Sequence, residues 1–141
     1  MQFTVYGEAK PQGSKRGLIR KGRVLLVESC KKLKPWRQEV AATAEAYMWH
    51  DGGIKIPRPH PVRLDVLFIF ERPKSTKRAA YKVTKPDFDK LLRGIADALT
   101  GIMYDDDSQI VRCSMGKTYG SPARTMIRIS RFEGSNEEMD F

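Results

Sequence analysis

Six aspartates stand between positions 87 and 107: Asp87, Asp89, Asp97, Asp105, Asp106 and Asp107. They fall in "KPDFDKLLRGIADALTGIMYDDDSQIV", residues 85–111 of a basic chain with 26 Lys and Arg against 17 acids. Asp87 and Asp89 are two apart, so on an extended segment both carboxylates point to the same side. A helix over about 89–99 would carry the chain away by roughly 15–17 Å. Residues 101–107 could bring it back by roughly 23 Å. Asp107 can therefore meet the first pair if the loop runs back along the helix. Carboxylates gathered so closely repel one another and resist ionisation. A divalent cation reverses that cost, and oxygen donors with no His or Cys nearby suit Mg2+, with Mn2+ as a substitute. On a surface that binds DNA, such a centre would serve phosphodiester hydrolysis, the metal activating water and stabilising the leaving oxygen.

Each aspartate also has a purely structural reading. Asp87, following Pro86, could cap the helix. Asp89, Arg93 and Asp97 fall at i, i+4 and i+8, the spacing of a solvent-facing ladder of ion pairs, and for Asp97 that reading is preferred. The "DDDS" stretch could be a solvated turn. It is no EF-hand, because neither a sixth-position Gly nor a twelfth-position Glu follows from Asp105.

The elements that must position these residues read as a small mixed α/β pattern. Residues 2–8 alternate around Phe3 and Val5 as a strand. A Pro/Gly loop follows, then "LIRKGRVLLVES" as two short strands about a Lys21-Gly22 turn. Pro35 sits near the first turn of a helix that places Trp36, Val40, Ala44, Tyr47 and Met48 on one face. In "VRLDVLFIFER", Val62, Leu64, Val66, Phe68 and Phe70 share one face. Leu67 and Ile69 on the other face predict cover on both sides, hence a central strand. A long basic loop leads to the second helix, whose predicted core face is Leu92, Ile95, Ala96 and Leu99, with Gly101 as its stop. "SQIVRCSMGKTY" and "TMIRISRF" read as two last strands joined through "GSPAR".

The length of 141 residues suits one domain, predicted over 1–132, with an acidic tail over 133–141 that should fray. That tail holds four acids and no Lys or Arg, so residues 1–132 carry 26 basic against 13 acidic side chains, or +13. Such a field favours a polyanion, with nucleic acid ahead of an anionic membrane. No basic amphipathic helix has a broad apolar face, and "VLFIF" is far too short to span a bilayer. The start "MQFTVYGEAK" reads as a strand and not a secretory signal, so a cytoplasmic location is expected. Cys30 and Cys113 lack metal-ligand spacing and read as free structural thiols. His50 and His60 flank a Gly/Pro-rich loop and would make only a thin zinc site.

"KPDFDKLLRGIADAL" followed by "YDDDSQIV" resembles the RusA family of Holliday junction resolvases of bacteria and prophages. The family pattern opens a helix with Asp-x-Asp-Asn-Leu, places a basic residue one turn on, closes with Asp-Ala-Leu and continues with Asp-Asp-x-Gln. "GEAKPQGSKR" is a weaker echo of the family's early Gly/Pro/Lys-rich loop. The resemblance implies a small α+β fold, a mixed sheet packed with two main helices. It also implies a homodimer and Mg2+-dependent cleavage of four-way DNA junctions by paired nicks, as in recombination and repair. It places the essential carboxylates at Asp87, Asp89 and Asp107, with Asp106 as a neighbouring ligand or support. The catalytic basic residue falls on Arg93, where the family has Lys; Arg keeps the charge but is not an equivalent proton donor. The family's Asn is Lys90 here, which adds a phosphate contact, and Asp105 has no counterpart. Lys74, Lys77, Arg78 and Lys85, with Lys15 and Arg16, would follow the DNA backbone. Two rivals remain at this level: a non-catalytic DNA-binding phage regulator, and a flap or fork nuclease.

Overall fold

The computed structural model describes residues 1–13, 15–28, 32–76 and 78–134. The tail beyond 134, Lys77 and Cys30 lie outside the described residues, as do the side chains of Lys15 and Arg16. The elements run β1 (Gln2–Tyr6), β2 (Lys15–Arg20), β3 (Arg23–Glu28), α1 (Leu33–His50), β4 (Val62–Phe70), α2 (Phe88–Leu99), β5 (Ile110–Tyr119) and β6 (Arg124–Arg131). A short 3₁₀ turn, Asp107–Gln109, precedes β5.

Four strands form one mixed sheet in the order β1-β6-β4-β5. β4 is parallel to β5 and antiparallel to β6, which in turn pairs antiparallel with β1. A parallel pair requires a crossover, and α2 lies within it. The α+β architecture expected from the sequence is therefore present. So is the central place of β4, whose Val62, Leu64, Val66, Phe68 and Phe70 are all buried.

Both helices lie against that buried face. α1 contributes Leu33, Trp36, Val40 and Ala44 to the core, four positions within one 3.6-residue stripe. α2 contributes Leu91, Ile95, Ala96, Ala98 and Leu99. Ile95, Ala96 and Leu99 are buried as the sequence predicts; the stripe also takes in Leu91 and Ala98, and Leu92 sits half-buried on its flank. The other face of the sheet departs further from expectation. Ile69 is buried, but Leu67 is 37% exposed, because both described helices pack on the opposite face. β4 is central by pairing, yet its outward face is open at Leu67.

β2 and β3 form a separate two-stranded hairpin. Its turn is Lys21-Gly22, with φ of +50° and +72°. Two consecutive left-handed residues are what a tight hairpin turn of matching twist requires, and glycine meets that requirement without strain.

Candidate functional site

Asp87 stands at the N-terminal edge of α2 in an extended conformation, φ −68° and ψ 143°. Its carbonyl accepts the Leu91 N–H at 3.1 Å. Its side chain makes no capping bond. One carboxylate oxygen faces Lys90 Nζ at 3.6 Å instead. Asp87 is therefore a cap by position only, and its exposed carboxylate is free for other use. Asp89 lies in the first turn, where the helix dipole favours negative charge. Both aspartates border one shallow depression with Thr84, Lys85, Phe88 and Lys117. The sequence-predicted pair is thus brought together.

Lys117, which sequence reasoning passed over, holds the segment that enters this site. Its ammonium donates to the carbonyls of Thr84 and Pro86, both at 2.7 Å. Loss of hydration lowers its pKa, the like charge of Lys82 adds to that, and Asp87 opposes it. Around it, residues 80–86 run beside the edge of the sheet. Tyr119 N–H donates to Ala80 and Lys82 N–H to Lys117, each at 3.2 Å. The free edge of β5 is covered in this way. A period-2 strand pattern shows which face Lys117 occupies, but not which loop comes to meet it.

The far end of α2 differs from the sequence reading. Gly101, at φ +82°, turns the chain back. Tyr104 is fully buried and its hydroxyl donates to the Ala96 carbonyl at 2.7 Å, which fixes the loop to the last helical turn. There Asp107 meets Asp97 and Asp106. Partial desolvation raises the Asp107 pKa first, followed by the hydrogen bond and charge of Asp106 and the charge of Asp97.

Asp105 and Asp106 have cationic partners from the segment before β4. Lys55 Nζ lies 2.8 Å from Asp105, and the Arg58 N–H donates to the same carboxylate at 2.8 Å. The Lys55 bond, then that of Arg58, holds the Asp105 carboxyl below its ordinary value. Asp106 accepts from the Ser108 hydroxyl at 3.0 Å and from the Arg58 guanidinium. Its carboxyl is held low by Ser108 first, then by Asp107 and Arg58. Gln109 completes the anchor. It is buried, donates from Nε2 to the carbonyls of Ile56 (3.2 Å) and His60 (3.0 Å), and accepts the Asp106 N–H at 2.9 Å.

Within one chain, therefore, Asp87, Asp89 and Asp107 do not gather at one point. Asp97, the neighbour of Asp107, lies eight residues beyond Asp89, about 12 Å of helix rise. The loop that could have run back along α2 is held at its end by Tyr104, Asp105, Asp106 and Gln109. Among the described residues no three His, Cys, Asp or Glu side chains are placed to hold a metal ion. The ladder expected through Asp89, Arg93 and Asp97 does not form either. Arg93 is exposed between two carboxylate pairs, one turn from each, and makes no ion pair among the described residues. Asp97 belongs with Asp107. Of the basic residues expected to meet DNA, Lys74, Arg78 and Lys85 are exposed, and Lys90 is half-buried beside Asp87. No helix among the described residues is long and apolar enough to cross a membrane.

Comparison with known proteins follows the same residues. The sequence model of endodeoxyribonuclease RusA matches residues 8–130. The "Uncharacterized protein YqaN" of Bacillus subtilis (strain 168) is 34% identical over 145 aligned positions, covering 92% of this chain and 94% of its own. The "Crossover junction endodeoxyribonuclease rusA" of Lactococcus phage r1t is 31% identical over 71 positions, covering 50% of this chain and 54% of its own. A match that reaches from the end of β1 to the end of β6 takes in both helices, both carboxylate pairs and the hairpin, and the chain belongs to the endodeoxyribonuclease RusA family.

Proposed function

We propose that this protein is a Mg2+-dependent, structure-selective endodeoxyribonuclease that resolves four-way DNA junctions by paired nicks, in recombination and repair, acting as a homodimer. The observation that carries the reading is the pairing of Asp87 and Asp89. Both lie exposed at the start of α2, and the fold spends neither on a helix cap. Membership of the RusA family and the name of the phage relative supply the reaction class. The net charge of +9 supplies the attraction to DNA.

The donor set fits the metal. Mg2+ keeps several waters and is usually held by one or two carboxylates together with substrate phosphates. Asp87 and Asp89 present such a pair, and the bound strand would bring the phosphate oxygens. When bound there, the metal would supply an activated water and stabilise the departing oxygen. The rest is done by this chain's own side chains. Lys90 offsets the charge of Asp87 before substrate arrives. Arg93, one turn further along, is free to grip the scissile phosphate with two N–H groups. Lys117 keeps the segment carrying Asp87 in place. Asp107 and Asp97, at the far end of α2, form the second carboxylate pair. In this reading Asp107 is the third essential carboxylate, with Asp106 beside it.

The test is cleavage of a synthetic four-way junction, a fork and a linear duplex, each with Mg2+ and with EDTA. Symmetric nicks in the junction alone, lost in EDTA, are expected. Asp89→Asn should remove cleavage while keeping or strengthening junction binding, since it takes negative charge away from DNA phosphate. Wild-type cleavage by that variant would sink the assignment.

A further inference from the structure

Among the described side chains of the β2–β3 hairpin, residues 17–25, none is buried, although the stretch is rich in apolar residues. Ile19 is 83% exposed and Val24 70%; Leu18 is 53% exposed and Leu25 44%. In the register of the ribbon, Ile19 lies opposite Val24, and Leu18 opposite Leu25. Opposed residues share a face and successive pairs alternate, so apolar side chains stand in solvent on both faces. Among the described residues, β2 and β3 pack substantially only on each other. A two-stranded ribbon of this kind is marginally stable alone in water, so its surface calls for a partner.

Charge identifies that partner. Lys15, Arg16, Arg20, Lys21 and Arg23 fall within this stretch, and the first acid is Glu28 at its end. Arg20 and Arg23 face each other across the turn, with Lys21 between them. Arg20, Lys21 and Arg23, gathered at the tip of a narrow ribbon, repel one another unless a polyanion lies between or beside them. Strands of six residues give the arm a reach of about 20 Å, and the major groove of duplex DNA admits a two-stranded ribbon.

The arm is rooted beside the candidate site. Gln12 N–H, just before β2, donates to the carbonyl of Lys90 in the first turn of α2, at 3.0 Å. Leu33, at the start of α1, packs against Gly94 one turn further along α2. One helix thus carries the Asp87–Asp89 pair and anchors both sides of the hairpin.

We propose that the β2–β3 hairpin is a DNA-gripping arm whose ribbon enters the major groove of a duplex lying over the Asp87–Asp89 site. Arg20, Lys21 and Arg23 hold phosphates, while Ile19 and Val24 pack on the sugar and base edges. This deepens the nuclease reading above and rests on it.

The experiment is a mobility-shift titration of the full chain on a fluorescent four-way junction, in EDTA to prevent cleavage and over a salt series. R20S/K21S/R23S should bind about tenfold or more weakly than wild type. The slope of log affinity against log salt should become shallower by about 2.7, the share of three phosphate contacts. R20K/R23K should restore most of both, and I19S/V24S should weaken binding without changing the slope. All variants should keep the wild-type melting temperature, because the hairpin adds little to the core. Wild-type affinity and slope in the triple variant would overturn the arm, while tight binding by the parent would leave the nuclease reading intact. Failure of the parent itself to bind would overturn both. Conversion of a dimer to a monomer by I19S/V24S, at unchanged DNA affinity, would give the ribbon to a second copy of the chain and also overturn the arm.

Discussion

Asp105 and Asp107 are separated by one residue and respond to pH in opposite directions. Lys55 and Arg58 favour the ionised form of Asp105, so its folded pKa lies below the ordinary 3.8. Its contribution to stability is present above 3.8 and is lost as pH falls through the folded value. Desolvation and two carboxylate neighbours favour the protonated form of Asp107. Ionising it therefore costs stability, a cost absent below 3.8 and complete above the raised value. Urea denaturation should show Asp105→Asn less stable than wild type near neutrality and equal to it in strong acid. Asp97→Asn, which removes a like charge beside Asp107, should be more stable than wild type near neutrality and equal in acid. A destabilised Asp97→Asn at neutral pH would mean that the charge of Asp97 is not a burden on the fold. The companion measurement is activity: in the proposed reaction Asp107→Asn should lose cleavage by at least two orders of magnitude, at little cost to junction binding, and a variant cleaving at the parent's rate would remove Asp107 from the chemistry. Which carboxylates pair was only half legible in the sequence. Asp87 and Asp89 are close because they are close in the chain. Asp97 was misplaced because helical spacing reveals which stripe a residue occupies and not which loop lands on it. The cations of Asp105 and Asp106 come from about 50 residues upstream, beyond the reach of any local pattern.

The strands and helices were far more legible than the loops that place the site. β4 shows its buried face through strict alternation, α1 through the apolar positions Trp36, Val40 and Ala44, and the β2–β3 turn through a single Lys-Gly pair. Each signal is contained in a few consecutive residues. The anchor formed by Gln109 is of another kind, since a buried amide reaches across to main-chain groups of another segment and leaves no periodic trace. Its two donated bonds and one accepted bond tie the Asp105–Asp107 turn to residues 56–60. Gln109→Ala would leave the Ile56 carbonyl and the Asp106 N–H short of partners in a largely buried position. Each such loss costs about 1–3 kcal/mol, so a total of roughly 2–6 kcal/mol is expected in urea denaturation. Cleavage should fall with it, because Asp107 loses its fixed place. Gln109→Glu should be worse than Ala near neutrality, since a carboxylate cannot donate to the carbonyls of Ile56 and His60. A Gln109→Ala variant as stable as the parent would show that solvent replaces these bonds at no cost.

For the whole molecule, the open face of the sheet becomes the decisive surface. Paired nicks in a nearly two-fold junction call for two cutting centres, and each chain brings one Asp87–Asp89 pair, so the proposed working unit is a symmetric dimer. Two exposed apolar surfaces are candidates for its interface, the outward side of β4 and the exposed part of α1. The structure narrows the first to Leu67, since Ile69 is already buried, and the second to Trp49 at 85% exposure. Leu67 is better placed. In register it lies between Gly116 of β5 and Met126 of β6, so a flat apolar strip crosses three strands. Arg63, Asp65 and Arg128 stand on the same face and give it charges of both signs, which a two-fold axis can set against each other. Trp49 sits one residue from the end of α1 and does not lie on this strip. Leu67→Arg should therefore shift sedimentation from dimer to monomer at micromolar concentration and turn paired nicks in a supercoiled cruciform into single ones. Trp49→Arg should leave both unchanged. If Leu67→Arg stays dimeric while Trp49→Arg does not, the interface lies on α1; a monomeric parent that makes both cuts within one encounter would end the dimer altogether.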